Sequence, residues 1–296
     1  PSTQVRLPES VLTAISSDGG TQTLDLLERA SAVGLLGDDG PGGPWKGVQI
    51  ADVEDVGPIL RSLDRLTSSL LPAIRMQMST TAARCELRQA STLRLWKQQL
   101  NLLDRVRKIL DTFKPEVLEG SPADMVVATA SKQWRKSKNI NLKGSQRRDL
   151  VRRARDLVRP GVHVEDIHQE LVRVQAMRLE WASQSDRDSW PTVPDSLSEL
   201  ESTWAEAQSE IAVLRGHLEP VYGDLDAIYV EELDSIFQQL YQDPQGALEI
   251  PESAAIAQEL SRRGLSGLVE DFRVRGVKGE QLSLELDLAW WASALG

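Results

Sequence analysis

Apolar residues recur every three or four positions along most of this chain, and this periodicity predicts a protein built from helices. The clearest stretch is 195–218, where the intervals alternate strictly between three and four, as in a coiled-coil seam. Its apolar positions are Leu197, Leu200, Trp204, Ala207, Ile211, Leu214 and Leu218. A second stretch with related spacing has Leu93, Trp96, Leu100, Leu103 and Leu110. The pattern therefore predicts two long amphipathic helices.

These two helices are separated by roughly 80 residues, which suggests an outgoing and a returning arm around a small tip. We predict an all-α fold with a long antiparallel, coiled-coil-like stalk and a small basic helical head. Only three Phe and three Tyr occur and β-branched runs are scarce, which also favours helices over sheets. The predicted divisions are N-terminal helices with a Gly/Pro linker at 1–50, outgoing stalk helices at 51–113, the head at 114–190, and the returning stalk with C-terminal helices at 191–296.

Start and stop signals define the helices of the head. Ser121 and Pro122 suit the beginning of a helix that reaches about residue 130. A second helix is predicted over 145–158, because Pro160 and Gly161 terminate it, and a third over about 164–183. Outside the head, helices are predicted over about 9–36, 224–242, 251–263 and 279–295, and a short strand signal lies at 47–50.

Charge is distributed very unevenly along the chain. The whole sequence has 34 basic and 44 acidic residues and a net charge of −10. Residues 132–159, which we call the basic tract, contain eleven Lys or Arg against two acids, Asp149 and Asp156. The tract therefore carries +9 and the remainder −19. Such a concentration of positive charge is typical of a contact surface for nucleic acid or an acidic partner.

The arrangement of the tract favours nucleic acid. Arg148, Arg152, Arg155 and Arg159 share one helical face and could follow a phosphate backbone, and Trp134 could stack on an unpaired base. The candidate contact residues are Lys132, Trp134, Arg135, Lys136, Lys138, Lys143, Arg147, Arg148, Arg152, Arg155 and Arg159. The alternative is that these cations pair with the acidic remainder of the chain or form a solvated helix face.

Signatures of catalysis and cofactor binding are missing from the sequence. Lys46 is followed by Gly47 rather than Ser or Thr, so the glycine-rich segment before it does not match a phosphate-binding loop. His163 and His168 are five residues apart, which is not the spacing of a helical zinc pair. The lone Cys85 is interpreted as a structural thiol, although neighbouring arginines could lower its pKa. We expect no metal, no cofactor and no enzymatic activity in this chain.

The chain has neither an apolar stretch long enough for a membrane span nor a signal peptide pattern, so we expect a cytoplasmic protein without membrane contact. The first residue is Pro1, and an amphipathic segment stops at Leu295 without a cap. Trp290 and Trp291 are adjacent, so both cannot face the same side of one helix. These features suggest a piece of a longer polypeptide whose remainder contacts the two tryptophans.

Two segments resemble a known type of protein. The first segment runs from Pro122 to Lys136, and the similarity lies in Pro122–Asp124, Ala128–Ala130 and Trp134–Lys136. The second segment is Leu284–Ser293. Both are similar to the long helical region that interrupts the motor domain of large actinobacterial ATPases of the superfamily 1 DNA helicase type. The resemblance implies an accessory insertion that holds or steers DNA. No nucleotide-binding residue carries over, because this chain has no Walker A sequence.

These observations predict an accessory insertion domain of a larger helicase-like ATPase that binds the phosphate backbone of nucleic acid, DNA by the resemblance, without regard to sequence. The alternative is a coiled-coil scaffold for protein interactions, whose basic head docks an acidic protein.

Overall fold

The computed structural model describes residues 21–33, 35, 43–119, 121–185 and 190–266. Within these ranges the chain is helical, without a β-strand, and extended backbone pairs only at isolated bridges. The all-α prediction is thus confirmed, whereas the strand signal at 47–50 is wrong, because this segment is irregular and held by its buried side chains Val48 and Ile50. The helix predicted over 279–295, with Trp290 and Trp291, lies outside the described residues, as does the first part of the helix predicted over 9–36.

The α-helices of the described residues are α1 (Thr21–Ala32), α2 (Val53–Arg65), α3 (Leu71–Cys85), α4 (Leu93–Thr112), α5 (Ala123–Thr129), α6 (Lys132–Ser137), α7 (Gly144–Asp156), α8 (Ile167–Gln184), α9 (Leu197–Tyr222), α10 (Val230–Gln242) and α11 (Pro244–Arg262). A π-helical turn, Leu66–Leu70, connects α2 to α3. Short 3-10 turns lie at Gly43–Trp45, Pro115–Val117 and Leu225–Ala227.

The chain forms two compact units. The first combines the described residues up to Ser68 with Ser209–Leu225 and the described residues from Glu231 onwards. The second combines Ser69–Gln208 with Asp226–Val230. The segment predicted as the head, 114–190, therefore belongs to the same unit as 69–113 and 191–208.

In the first unit, α11 packs on α1, on α2 and on the turn at Gly43–Trp45. Trp45 is fully buried, and its indole Nε1 donates a hydrogen bond to the carbonyl of Asp243, at 2.7 Å. The Asp243 carboxylate in turn accepts from the backbone N–H of Gly246 and caps α11. The end of the predicted Gly/Pro linker is thus docked on the unit through a buried aromatic ring.

Gly246 is needed at this junction because the indole comes close to the first turn of α11. A Cβ at this position would lie 2.9 Å from Cδ1 of Trp45 and 2.4 Å from a carboxylate oxygen of Asp243. The helix predicted to begin at Pro251 begins at Pro244 instead, with Pro251 inside it and buried. The capping Asp243 and the proline in the first turn provide the start signal.

In the second unit, α4 packs on α8. Trp96 and Leu103 of α4 are fully buried, as are Leu171 and Val174 of α8. The buried face of α4 is wider than the predicted seam, since Leu102 and Val106 are also fully buried. The part of the predicted α9 seam that lies in this unit, Leu197 to Ala207, is buried at every position except Trp204, which is half-buried.

One fork of hydrogen bonds connects α4 to the first part of α9. Both terminal nitrogens of Arg107 lie 3.1 Å from the two carboxylate oxygens of Glu201. A bidentate pair of this kind fixes the relative orientation of the guanidinium and the carboxylate as well as the distance between them. It joins the end of α4 to the beginning of α9.

Cys85 ends α3 and is 2% exposed. Burial raises the pKa of its thiol, and this effect outweighs the lowering by a hydrogen bond with Thr192 and by the charge of Arg84. We therefore expect the native protein to react with a disulfide reagent such as DTNB at pH 8 on the order of a hundredfold more slowly than the urea-unfolded chain, because reaction requires local opening. Equal rates in the two states would contradict a buried thiol.

Candidate nucleic-acid interface

The basic tract lies in the second unit and comprises α6, the loop after it, α7 and the three residues that follow. Helix α6 was not predicted as a separate element. Ser131 begins it by accepting a hydrogen bond from the backbone N–H of Trp134, at 3.1 Å. Lys132, Lys136 and Lys138 are exposed on α6 and its end.

Helix α7 displays a row of arginines on its exposed side. Arg148, Arg152 and Arg155 are all exposed and follow one another at intervals of four and three, so they share one helical face. Ala154 is fully buried on the opposite side, where α7 packs on α5. We call Arg148, Arg152 and Arg155 the arginine row.

The end of α7 is anchored on the end of α4. The backbone N–H of Lys114 donates to the carbonyl of Leu157 at 2.8 Å, and the N–H of Arg159 donates to the carbonyl of Thr112 at 3.0 Å. This pair of bonds forms an antiparallel bridge around Phe113 and Val158. The arginine row is therefore carried by a helix whose end is tied to the core of the unit.

Three arginines of the tract use their guanidinium groups on backbone carbonyls. Arg147 donates from Nε to Ala128, at 3.1 Å, and Arg135 donates to Ala130. Arg159 donates from Nε to the carbonyl of Phe113, also at 3.1 Å. Carbonyls at the end of a helix have no partner within the helix, so these arginines satisfy the ends of α5 and α4. Their contacts indicate that these three arginines position the ends of α5 and α4.

Arg152 has a partner on its own helix. Its guanidinium lies 2.8 Å from a carboxylate oxygen of Asp149, and both side chains are about two-thirds exposed or more, at 73% and 67%. An exposed ion pair of this kind contributes little free energy, typically below about 1 kcal/mol. A phosphate could therefore displace Asp149 at small cost.

The side chains of the other cations of the tract have no hydrogen bond or ion pair within the described residues. These are Lys132, Lys136, Lys138, Lys143, Arg148, Arg153 and Arg155. Arg153 was not among the predicted contact residues, although it lies within the basic tract and is exposed. A selection of contact residues by charge alone would have included Arg153.

Trp134 has a partner within the protein. Its ring is half-buried and meets the ring of His168 edge-on, with centroids 6.1 Å apart and planes at 64°. His168 Nδ1 in turn lies 3.1 Å from the carbonyl of Val126. The contact joins α6 to α8 and leaves less of the indole available for stacking on a base.

A groove of about 480 Å³ lies in the same unit, outside the tract, and is lined by residues such as Lys108, His163 and Arg173. Its cations are paired: Lys108 lies 2.8 Å from Asp104, and Arg173 lies 2.5 Å from Glu170. The hydrogen bond from Lys108, aided by Arg107, lowers the pKa of the Asp104 carboxyl. This groove therefore offers little unpaired positive charge to an anion.

Within the described ranges, no three His, Cys, Asp or Glu side chains come together as ligands for a metal ion. None of the helices described is long and apolar enough to cross a membrane.

No family model matches this chain, and no curated protein or solved structure is significantly similar to it. The interpretation of the basic tract therefore depends on its own charge and geometry.

Proposed function

We propose that the basic tract is a nucleic-acid-binding surface that recognises phosphates without regard to base sequence. The observation that carries this proposal is the separation of the tract into two groups of cations. Arg135, Arg147 and Arg159 hold helix ends, whereas the arginine row and the unpaired cations are directed at solvent. Exposed cations that protein groups do not occupy are available to bind the phosphates of a nucleic-acid backbone.

The negative charge of the rest of the protein confines the contact with nucleic acid to the basic tract. Outside the tract the chain carries −19, so a polyanion is repelled from most of the molecule and attracted to one place. Binding through the row would release counterions from the phosphates and would depend strongly on salt. The surface would thus position nucleic acid against the protein and perform no chemistry on it.

The same proposal places the chain within a larger protein. It would act as an accessory insertion of a cytoplasmic, helicase-like ATPase, with no enzymatic activity of its own. Helix α4 and the first part of α9 would belong to the antiparallel stalk, for which the fork between Arg107 and Glu201 provides support. Trp290 and Trp291 would contact the remainder of the parent polypeptide.

Fluorescence anisotropy of a labelled DNA across a salt series tests the proposed function. With about four phosphate contacts, the logarithm of the association constant should fall linearly with the logarithm of salt concentration, with a slope of about −3 to −4. Absence of binding at about 50 mM salt, where such contacts are strong, would reject the proposal. It would favour the alternative, a scaffold whose basic head docks an acidic protein.

A further inference from the structure

We infer that the basic tract binds double-helical nucleic acid in preference to a single strand. This inference rests on the proposed function and specifies its substrate. Two features of the second unit support it: the aromatic rings near the tract already have protein partners, and the exposed arginines form a row on an anchored helix.

Proteins that bind single strands usually stack the bases on exposed aromatic side chains. Residues 114–190 contain only three aromatic side chains, Trp134, Trp181 and Trp190. Trp181 is buried and Trp134 packs on His168. Trp190 is 48% exposed, and the guanidinium carbon of Arg178 lies 4.5 Å from the centroid of its ring. Each ring therefore already contributes to contacts within the protein.

The arginine row matches a regular array of phosphates. The first and last of the three positions are seven steps apart along the helix, which is about 10 Å, the length of roughly three phosphates along one strand of a duplex. Buried Ala154 and the bridge between Phe113 and Val158 hold α7 in place. A duplex also holds its phosphates in fixed positions, whereas a single strand must lose conformational entropy to match the row.

Cations outside the row increase this preference. Arg153 lies about 140° around the helix from Arg148, so positive charge is present on more than one side of α7. A duplex carries one charge per about 1.7 Å of its axis, twice the density of one strand. The field of the whole tract therefore attracts a duplex more strongly.

Anisotropy with two labelled probes tests this inference on the 296-residue chain. One probe is a mixed-sequence DNA duplex of about 20 base pairs, and the other is one of its strands, chosen to be unstructured. At about 50 mM salt and with about four contacts, the duplex should bind at least about tenfold more tightly, because each duplex contact releases more counterion. Equal or tighter binding of the single strand would overturn the inference and leave the proposed function standing. Binding of neither probe would reject the proposed function itself.

A variant of Trp134 tests the role assigned to its indole. In Trp134→Leu the ratio of duplex to single-strand affinity should stay within about twofold of the parent, because phosphate contacts do not involve the ring. A loss of about tenfold or more on the single strand alone, in a variant with unchanged circular dichroism, would show that the ring stacks on bases. That result would also overturn the inference.

Discussion

The triple variant Arg148→Gln, Arg152→Gln, Arg155→Gln should bind duplex DNA on the order of a thousandfold more weakly than the parent at about 50 mM salt. The three guanidinium groups are exposed on one face of α7, and only Arg152 has a partner, the exposed Asp149. Removing them should reduce the magnitude of the salt slope by about 2.7, at about 0.9 per contact. Gln is nearly as good a helix former as Arg, so the helical content should not change.

A variant with the same change of charge elsewhere controls for the loss of net positive charge. Lys46, Arg61 and Lys97 are exposed and lie outside the basic tract, so their replacement by Gln should leave the affinity and the salt slope nearly unchanged. Equal losses in the two triple variants would show a non-specific effect of net charge. Unchanged binding in the row variant would remove the arginine row from the interface.

The variant Trp96→Ala should lose about 3–5 kcal/mol of unfolding free energy, measured in urea by circular dichroism. The ring is 0% exposed in the core of the second unit. Its Nε1 finds no acceptor within the described residues, so the indole stabilises the unit through packing rather than through a hydrogen bond. Trp96→Phe, which keeps a ring and removes the unpaired N–H, should therefore lose much less, within about 1–2 kcal/mol.

Trp204 provides the matched comparison, because it lies on a seam of the same predicted type but is only half-buried. Trp204→Ala should accordingly cost less than Trp96→Ala, since less apolar surface is returned to water. A loss below about 0.5 kcal/mol in Trp96→Ala, the range of ordinary surface changes, would show that the ring does not contribute to the core.

Helix α7 shows how much of the candidate interface could be predicted from the sequence. Its bounds, predicted as 145–158 and observed as Gly144–Asp156, follow from local signals, namely the apolar stripe and the terminators Pro160 and Gly161. The helical repeat also places Arg148, Arg152 and Arg155 on one exposed face, but Arg159, predicted as the fourth member of this row, lies beyond the end of α7 and donates to the carbonyl of Phe113. Local information was sufficient here because both the helix and its exposed face depend on residues within a few positions.

The pairing of α4 could not be predicted in the same way. Its seam at Leu93 and Trp96 was recognised, and both residues are buried, but the seam was expected to face the returning arm. The structure packs α4 closely on α8 and connects it to α9 through Arg107 and Glu201. Periodicity shows that a helix has an apolar face, but it contains no information about which distant element covers that face.

By itself, the sequence determined the helical class, the positions of the main helices and the concentration of positive charge at 132–159, because each depends on composition or on a local repeat. Only the tertiary structure divided that charge into two groups. Arg147 and Arg159 donate to carbonyls 19 and 46 residues earlier in the chain, and Trp134 meets a ring that lies on α8. Such partners are brought together by folding, so the difference between an arginine that holds a helix end and one that remains available to a phosphate is a property of the folded unit.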